Sequence, residues 1–385
     1  MSLFSPRRTR SAGGGMSVPP PGAARLFGST AVTNETALRH SAVWACLRLR
    51  ADLISTLPVD AYRKVDGVQV EVPKPPILVN PGGERVGIQE WMYSTQFDLD
   101  RAGNCFGVIT ERNALNLPAR IDLVQLGDVR LSDVDGEIKY LIGGDTYRPE
   151  DVWHERQYTV PGLVVGLSPV AYAAWSIGSY LSAQDFALGW FGNAAIPAAE
   201  LVNSQKTLSQ REAMIAKTSY EAAVRAGGLF VHGNDWELKP MQAVDSQTRF
   251  LETMQFGIPD IARFFGCPAD LIDSAAGGSS VTYANITQRN LQLLIMNLGP
   301  AISRRENALS NLLSRPRFVK LNANALLRMD PQTRAATIKT QLDSRVLTPS
   351  EARALDDRAP LTPDQLAEFD RVYGSPRTIP TGATS

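Results

Sequence analysis

The sequence predicts an α+β chain built in parts: a mixed front section, a long helix almost free of charge, and a second long helix broken near its middle. Three observations carry this. Between Val59 and Glu155 short β-branched and aromatic runs alternate with Gly, Asp and Pro turns, and helical stretches flank or interrupt them. From Ser168 to Asn193 the only charge is Asp185. After Tyr283 the residues Leu291, Leu294, Leu298, Ile302, Leu309 and Leu312 recur at helical spacing, with Gly299-Pro300 among them.

The first element follows a tail. Residues 1 to about 34 are rich in Gly, Pro, Ser and Arg, with no acidic residue before Glu35. Such a composition cannot build a core, so these residues read as a disordered basic arm, either a solvated tail or a contact for nucleic acid or an acidic partner. Ala37 to Leu57 reads as a helix with Val43, Leu47, Ile54 and Leu57 near one face, ended by Pro58. Val59–Tyr62 and Val68–Val72 read as strands joined by Asp66-Gly67, a hairpin turn. Ile88 to Arg101 is a second helix, stopped at Gly103 and followed by a strand from Cys105 to Glu111. Ile121–Leu131, Glu137–Ile142 and Val152–Glu155 supply further strands.

The uncharged helix starts at Ser168-Pro169, a Ser N-cap with Pro in the first position. Its length alone would permit a membrane span, but Pro169, Gly178, Gly189, Gln184 and Asp185 and the lack of flanking Lys or Arg disfavour one. The better reading is a helix buried on most faces, with Tyr172, Trp175, Phe186, Trp190 and Phe191 as core or subunit contacts. Ala198 to Ala243 reads as a small α/β insertion: a helix around Ser209–Ala226 and strands at Leu229–His232 and Trp236–Leu238. A compact aromatic helix around Ile258–Phe265 leads into the Gly/Ser run Ser274–Ser280. Gly299-Pro300 then kinks the second long helix, because proline lacks the N–H and clashes with the preceding turn. Gln288, Asn290, Asn297, Ser303 and Asn307 form that helix's polar face, read as either solvated or a hydrogen-bonded subunit seam. Thr348-Pro-Ser-Glu351 and Thr362-Pro-Asp-Gln365 are two capping boxes that start the last helices.

Composition then narrows the function. With 39 basic and 39 acidic residues among 385, the chain does not hold nucleic acid by overall charge. A conduit is compatible with neutrality, since a duplex sliding through it must not be gripped at many phosphates. The cysteines Cys46, Cys105 and Cys267 have no metal or disulfide spacing, and His40, His154 and His232 stand apart from one another. No phosphate loop ending in Gly-Lys-Ser/Thr and no Gly-x-Ser-x-Gly elbow occurs. Carboxylate pairs such as Asp133/Asp135 and Asp356/Asp357 sit in polar, turn-like contexts. No catalytic residue, metal or cofactor is expected.

Several modules, collinear from about residue 37 to 355, resemble the portal proteins of tailed bacteriophages, in the long-tailed branch. They are Ser41-Ala-Val-Trp-Ala-Cys with Leu57-Pro58-Val59, Gly103-Asn104-Cys105-Phe106-Gly107, and Asp151-Val152-Trp153-His154 with Gly166-Leu167-Ser168-Pro169. Phe191-Gly192-Asn193, Ile261–Pro268, Tyr283-Ala284-Asn285, Leu298-Gly299-Pro300 and Leu327-Arg328-Met329-Asp330 follow in the same order. The chain departs from the family at Ile272-Asp273, at Ile286-Thr287, at Arg345-Val346-Leu347-Thr348, which replaces a frequent Gly, and at Ser350, where an Asn is frequent.

The resemblance implies a ring-forming portal fold. Its parts would be an α/β wing (35–167), a stem helix (168–195), a small α/β clip (196–244) and a second stem helix (245–272). A tunnel loop (273–284), a long kinked helix returning to the wing (285–330) and a helical crown with a frayed C-terminus (331–385) would complete it. It further implies a ring of about twelve copies at one capsid vertex of the virion, assembled in the host cytoplasm, through which double-stranded DNA is packaged and ejected. Its partners would be the terminase large subunit, a head–tail adaptor, and the major capsid protein with a scaffold. No membrane is implied. Ser274, Gly277, Gly278, Ser279, Ser280, Thr282 and Tyr283 would face DNA, and Lys206, Arg211, Lys217 and Arg225 would meet the terminase. Another head–tail structural protein, such as an adaptor or minor capsid protein, is the alternative.

Overall fold

The computed structural model describes residues 16–17, 31–134, 137–192, 199–203, 205–225, 235–240, 257–272, 288–289, 291–323, 331–356 and 358–374. They fall into two compact units, Met1–Leu321 and Asn322–Ser385.

The larger unit opens with β1 (Met16–Ser17), which pairs antiparallel with Arg130 and Leu131 of a later strand, so part of the expected arm adds to a sheet edge. The arm reading also ends too late: Val32 is buried, and Thr33 and Thr36 exchange hydrogen bonds that start a 3-10 turn at Thr36–Arg39. Helix α1 (Ser41–Ser55) is capped by the His40 ring, whose Nδ1 accepts from Ala42 N–H. It buries the expected apolar face, with Val43, Leu47 and Ile54 fully enclosed. Strands β2 (Val59–Val65) and β3 (Val68–Val72) form the hairpin, and Asp66 and Gly67 both adopt positive φ (50° and 82°), as a type I′ turn requires. Helix α2 (Ile88–Ala102) ends at Gly103 in the left-handed conformation.

Three strands then form one sheet in the order β5-β4-β9: β4 (Asn104–Arg112), β5 (Pro118–Val124) and β9 (Val152–Arg156). The single strand expected over Ile121–Leu131 is in fact two. A 3-10 turn at Leu126–Asp128 separates β5 from β6 (Val129–Val134), which lies in another sheet with β7 (Glu137–Ile142) and β8 (Asp145–Tyr147). Leu126 anchors the corner in the core between the sheets, with Phe106, Val129, Leu131, Tyr140 and Val152.

The uncharged helix is interrupted once. Helix α3 (Pro169–Tyr172) is capped by Ser168, whose Oγ accepts from Ala171 N–H at 3.2 Å, and α4 (Ala174–Gly192) follows after Ala173. Among the described residues no helix is long and apolar enough to cross a membrane. The insertion contributes β10 (Ala199–Asn203), α5 (Gln210–Arg225) and β11 (Trp236–Pro240), with β10 and β11 antiparallel. The strand expected at Leu229–His232 lies outside the described residues.

The aromatic helix, α6, spans residues 257–265, and α7 (Ala269–Ile272) follows it. Ile261, Phe265 and Cys267 pack with Val43, Cys46 and Leu47 of α1 and with Val170, Ile177 and Leu181 of α3 and α4. Residues 288–289 and 291–292 are helical and lead through a π-helix (Leu293–Leu298) into α8 (Gly299–Ser310). Strand β12 (Arg317–Leu321) then pairs with β2, giving the sheet order β12-β2-β3.

The smaller unit holds α9 (Pro331–Asp343), α10 (Pro349–Ala354) and α11 (Pro363–Tyr373). Both capping boxes form as expected, at Thr348/Glu351 and Thr362/Gln365.

Candidate functional site

The sequence motifs that stand far apart along the chain meet at one knot where α2, β4, β9 and α3 join. Asn104 sits at its centre. Its amide nitrogen donates to the carbonyls of Ala102 (2.8 Å) and Gly166 (3.0 Å), and its Oδ1 accepts from Gly166 N–H at 2.7 Å. Because both donors of Asn104 are used, Oδ1 faces His154 Nε2 (3.1 Å) as an acceptor, so Nε2 carries the proton. His154 Nδ1 then accepts from the Tyr140 hydroxyl at 3.1 Å. A neutral imidazole fully satisfied in this way resists protonation. Burial, with Arg156 adding to it, pushes the His154 pKa down to about 3.

The glycines of the same motifs are there for space. Gly103 has φ 72°, and a methyl on it would lie 2.0 Å from the Leu167 carbonyl oxygen. A methyl on Gly166 would lie 2.1 Å from the Gln157 carbonyl oxygen. Ser168 completes the knot by donating from Oγ to the Arg101 carbonyl while it caps α3. The front section is thereby bolted to the start of the uncharged helix.

A second node joins the front section to α6 and the π-helix. Arg50 of α1 pairs with Asp100 of α2 at 3.1 Å in full burial. The remaining Asp100 capacity accepts from Gln96 (2.9 Å) and Gln157 (2.9 Å). Burial works against the Arg50 charge, but Asp100 outweighs it and holds the Arg50 pKa above its ordinary value. Arg50 Nη1 also donates to the Asn297 carbonyl (3.1 Å), and Asn297 Nδ2 donates to the Gly266 carbonyl (2.8 Å). The two chain segments flanking residues 273–287 are therefore clasped to each other and to α1. Asn297, expected on a solvated or seam-forming face, is instead a buttress. Next to it, Cys267 Sγ lies 3.8 Å from the Cys46 carbonyl, and all three cysteines are free and buried.

The π-helix corrects the expected apolar stripe. Leu293, Leu298, Ile302, Leu309 and Leu312 are buried, whereas Leu291 is 45% exposed. The step from Leu293 to Leu298 is one residue longer than an α-turn allows, which is the i→i+5 spacing of a π-turn. Pro300 explains its place, since its missing N–H leaves the preceding turn without its α-type donor. The break expected at Gly299-Pro300 thus lies just before them, and α8 starts at that pair.

Within the front section Arg305 of α8 is buried against Glu155 of β9, and its Nη2 also reaches Thr95 Oγ1 (2.7 Å). Its guanidinium lies 5.6 Å from the centre of the Trp91 ring. Burial raises the Glu155 pKa to about 7 despite Arg305. No sequence spacing signals the Arg50–Asp100 or Arg305–Glu155 pair, because each joins elements remote in the chain.

The expected DNA-facing residues Ser274, Gly277, Gly278, Ser279, Ser280, Thr282 and Tyr283 lie outside the described residues. Of the expected terminase contacts, Lys206 pairs with Glu212 (2.6 Å) and Lys217 with Glu221 (3.9 Å). Arg211 is exposed on α5, and Arg225 ends that helix. Among the described residues no cluster of His, Cys, Asp or Glu could hold a metal. The arrangement is that of a scaffold which holds a segment between two fixed ends.

Residues 41–357 match the family model described as phage portal protein. The chain is 32% identical to the probable portal protein of Streptomyces phage phiC31, over 91% of this chain and 81% of that one. It is 25% identical to the portal protein of Enterobacteria phage HK97, over 90% and 85% respectively. The fold resembles the crystal structure of an HK97 family phage portal protein from Corynebacterium diphtheriae (TM-score 0.61, 19% identity, 78% of this chain and all of that one). It also resembles a chain in the neck of a native gene transfer agent particle computed with C12 symmetry (TM-score 0.56, 19% identity, 87% and 96%). On the family match and the identity over most of its length, the chain belongs to the phage portal protein family.

Proposed function

We propose that this portal protein forms a closed ring of about twelve copies at one capsid vertex of the virion, a structural channel for packaging and ejecting double-stranded DNA with no catalysis of its own. The observation that carries the reading is the Asn297–Gly266 clasp. A segment whose two ends are fixed to one buttress can project into a channel without dragging the body of the subunit with it. Residues 274–283, mostly Ser, Ala, Gly and Thr, supply contact with a moving duplex without phosphate-gripping charge. A similar fold in a particle neck of C12 symmetry supports the ring.

On this reading the ring assembles in the host cytoplasm. The terminase large subunit docks on the clip at residues 196–244 during packaging, with Arg211 as an exposed cation of α5, and head–tail adaptors occupy the same end afterwards. The major capsid protein, with scaffold during assembly, encloses the wing. An adaptor or minor capsid role is the weaker reading, because the portal family match runs from residue 41 to 357.

Negative-stain microscopy of the purified protein tests the ring: end-on views with a central hole and about twelve-fold symmetry are expected, and a small closed oligomer without a channel would overturn it. Deleting residues 274–282 should leave ring assembly intact and impair retention or passage of packaged DNA. Normal packaging by that variant would remove the loop from the channel. ATPase or nuclease turnover that a point mutation in this chain abolishes would sink the non-enzymatic reading.

A further inference from the structure

The smaller unit carries two exposed apolar features that do not cover each other. Helix α11 buries none of its residues. One side of it presents Leu366 (50% exposed), Phe369, Val372 and Tyr373, with Phe369 and Tyr373 stacked at 5.9 Å. An apolar stripe on a helix this short does not hold its helix in water unless something covers it. The stripe is flanked by Asp364, Glu368 and Asp370, all exposed, against the single cation Arg371.

The second feature is the turn that ends α9. Arg345 N–H donates to the Leu342 carbonyl (3.1 Å) and Val346 N–H to the Gln341 carbonyl (3.0 Å), the paired bonds of a Schellman cap. Such a cap ordinarily has glycine at the left-handed position and tucks the next apolar residue against the helix. Here the left-handed residue is Arg345, at φ 58°, and Val346 is 75% exposed because the helix offers it Gln341 rather than an apolar partner. A strained, charged residue in a glycine position and a valine held outward break two local rules together. Lys339, on the same helix, is exposed and basic, so Lys339 and Arg345 together outweigh Asp343, the exposed acid beside the turn.

We infer that the α11 stripe of one copy docks on the Arg345-Val346 turn of the neighbouring copy. The inference rests on the ring reading above. Val346 supplies the apolar knob for Leu366 and Phe369, and Arg345 and Lys339 face the acidic flank of α11. The two surfaces differ in kind, one a stripe and one a turn, so the contact is head-to-tail, the type that closes a ring. Opposite charge on the two surfaces favours a second copy of this chain over an acidic partner such as DNA, which the α11 flank would repel.

The test places cysteines at both surfaces in the full chain, Val346→Cys with Phe369→Cys, and bridges them with a short bis-maleimide. The native cysteines are buried, and both substituted residues are exposed. A ladder of covalent multimers is expected. A bridge formed within one chain, or no bridge at all, overturns the inference. Rings seen without a ladder leave the ring reading standing, whereas failure to form rings counts against that reading separately. Arg345→Gly gives a second, independent readout. It should raise the thermal midpoint of the monomer by relieving the left-handed strain, yet increase by about tenfold the concentration needed for half-assembly. Stabilisation with unchanged assembly would show that Arg345 has no part in the contact.

Discussion

Replacing Asn104 by alanine would leave the Gly166 N–H, the His154 Nε2–H and two backbone carbonyls buried without partners. Unpaired buried groups of this kind cost about 1–3 kcal/mol each, so Asn104→Ala should lower the unfolding free energy by about 3 kcal/mol or more, read by urea denaturation. Gly103→Ala should cost as much through the Leu167 carbonyl, which cannot move without breaking the joint to α3. Acid should act through the same residues. His40 and His154 have folded pKa values near 4 and 3, below their unfolded value of 6.5. Their contributions are therefore fully present above pH 6.5 and are lost as pH falls, with a slope of up to about 1.4 kcal/mol per pH unit for each. Glu155 works the other way. Its folded pKa of about 7 lies above the ordinary 4.5, so the unfolded state releases its proton first and stability falls as pH rises between those values. Glu155→Gln should consequently steepen the loss of stability between pH 6.5 and 4.5, and a thermal melting series across that range checks it. The Gly-Asn and Asp-Val-x-His motifs were legible as letters in the sequence. Their meaning was not, because the hydrogen bonds that unite Asn104 with His154 and Gly166 cross between four elements.

Local elements were the most legible part of the chain, since their signals are local. The Asp66-Gly67 hairpin, the Gly103 stop, the Ser168-Pro169 start and both capping boxes form where residue chemistry puts them. The failures are breaks in a regular pattern that local spacing does not announce. A 3-10 corner at Leu126–Asp128 splits what reads as one strand, and the π-turn slips the phase of the apolar stripe by one residue. A π-turn stores that extra residue only while its surroundings hold it, and here Asn297 is the holder, bonded to Gly266 and accepting from Arg50. Asn297→Ala removes the bond to Gly266 and keeps the Arg50 bond, which goes to the backbone carbonyl of residue 297, so it should loosen the two flanks of the 273–287 segment where they meet. The expected result is faster amide hydrogen exchange across residues 257–272 and 291–298, by about five- to thirtyfold for a loss of 1–2 kcal/mol, with exchange in β4, β5 and β9 unchanged. Faster exchange on one flank alone would mean that the two are not coupled through this side chain.

At the scale of the molecule, the chain closes its larger unit late. Strand β12 arrives more than two hundred residues after β2, yet it covers the open edge of β2, with Val319 opposite Ala61 and Leu321 opposite Val59, all buried. Helix α8 delivers it: Ser310 Oγ accepts from Val319 N–H (2.8 Å), Glu306 accepts from Leu321 N–H (3.0 Å), and Lys320 pairs with Glu306 (2.6 Å). Pairing across such a separation leaves no trace in local spacing, so only the family resemblance implied a return to the wing. It also sets where the chain can be cut. A chain ended after residue 323 keeps β12 and the whole larger unit, and should unfold cooperatively with a melting midpoint within a few degrees of the full protein. A chain ended after residue 314 loses β12, uncovers the β2 edge and exposes Val59 and Ala61. It should be destabilised by several kcal/mol and prone to edge-to-edge aggregation. Circular dichroism melts and light scattering on the two truncations separate these outcomes. Equal stability would mean that the sheet does not depend on its last strand, while collapse of both would mean that the larger unit is not self-sufficient.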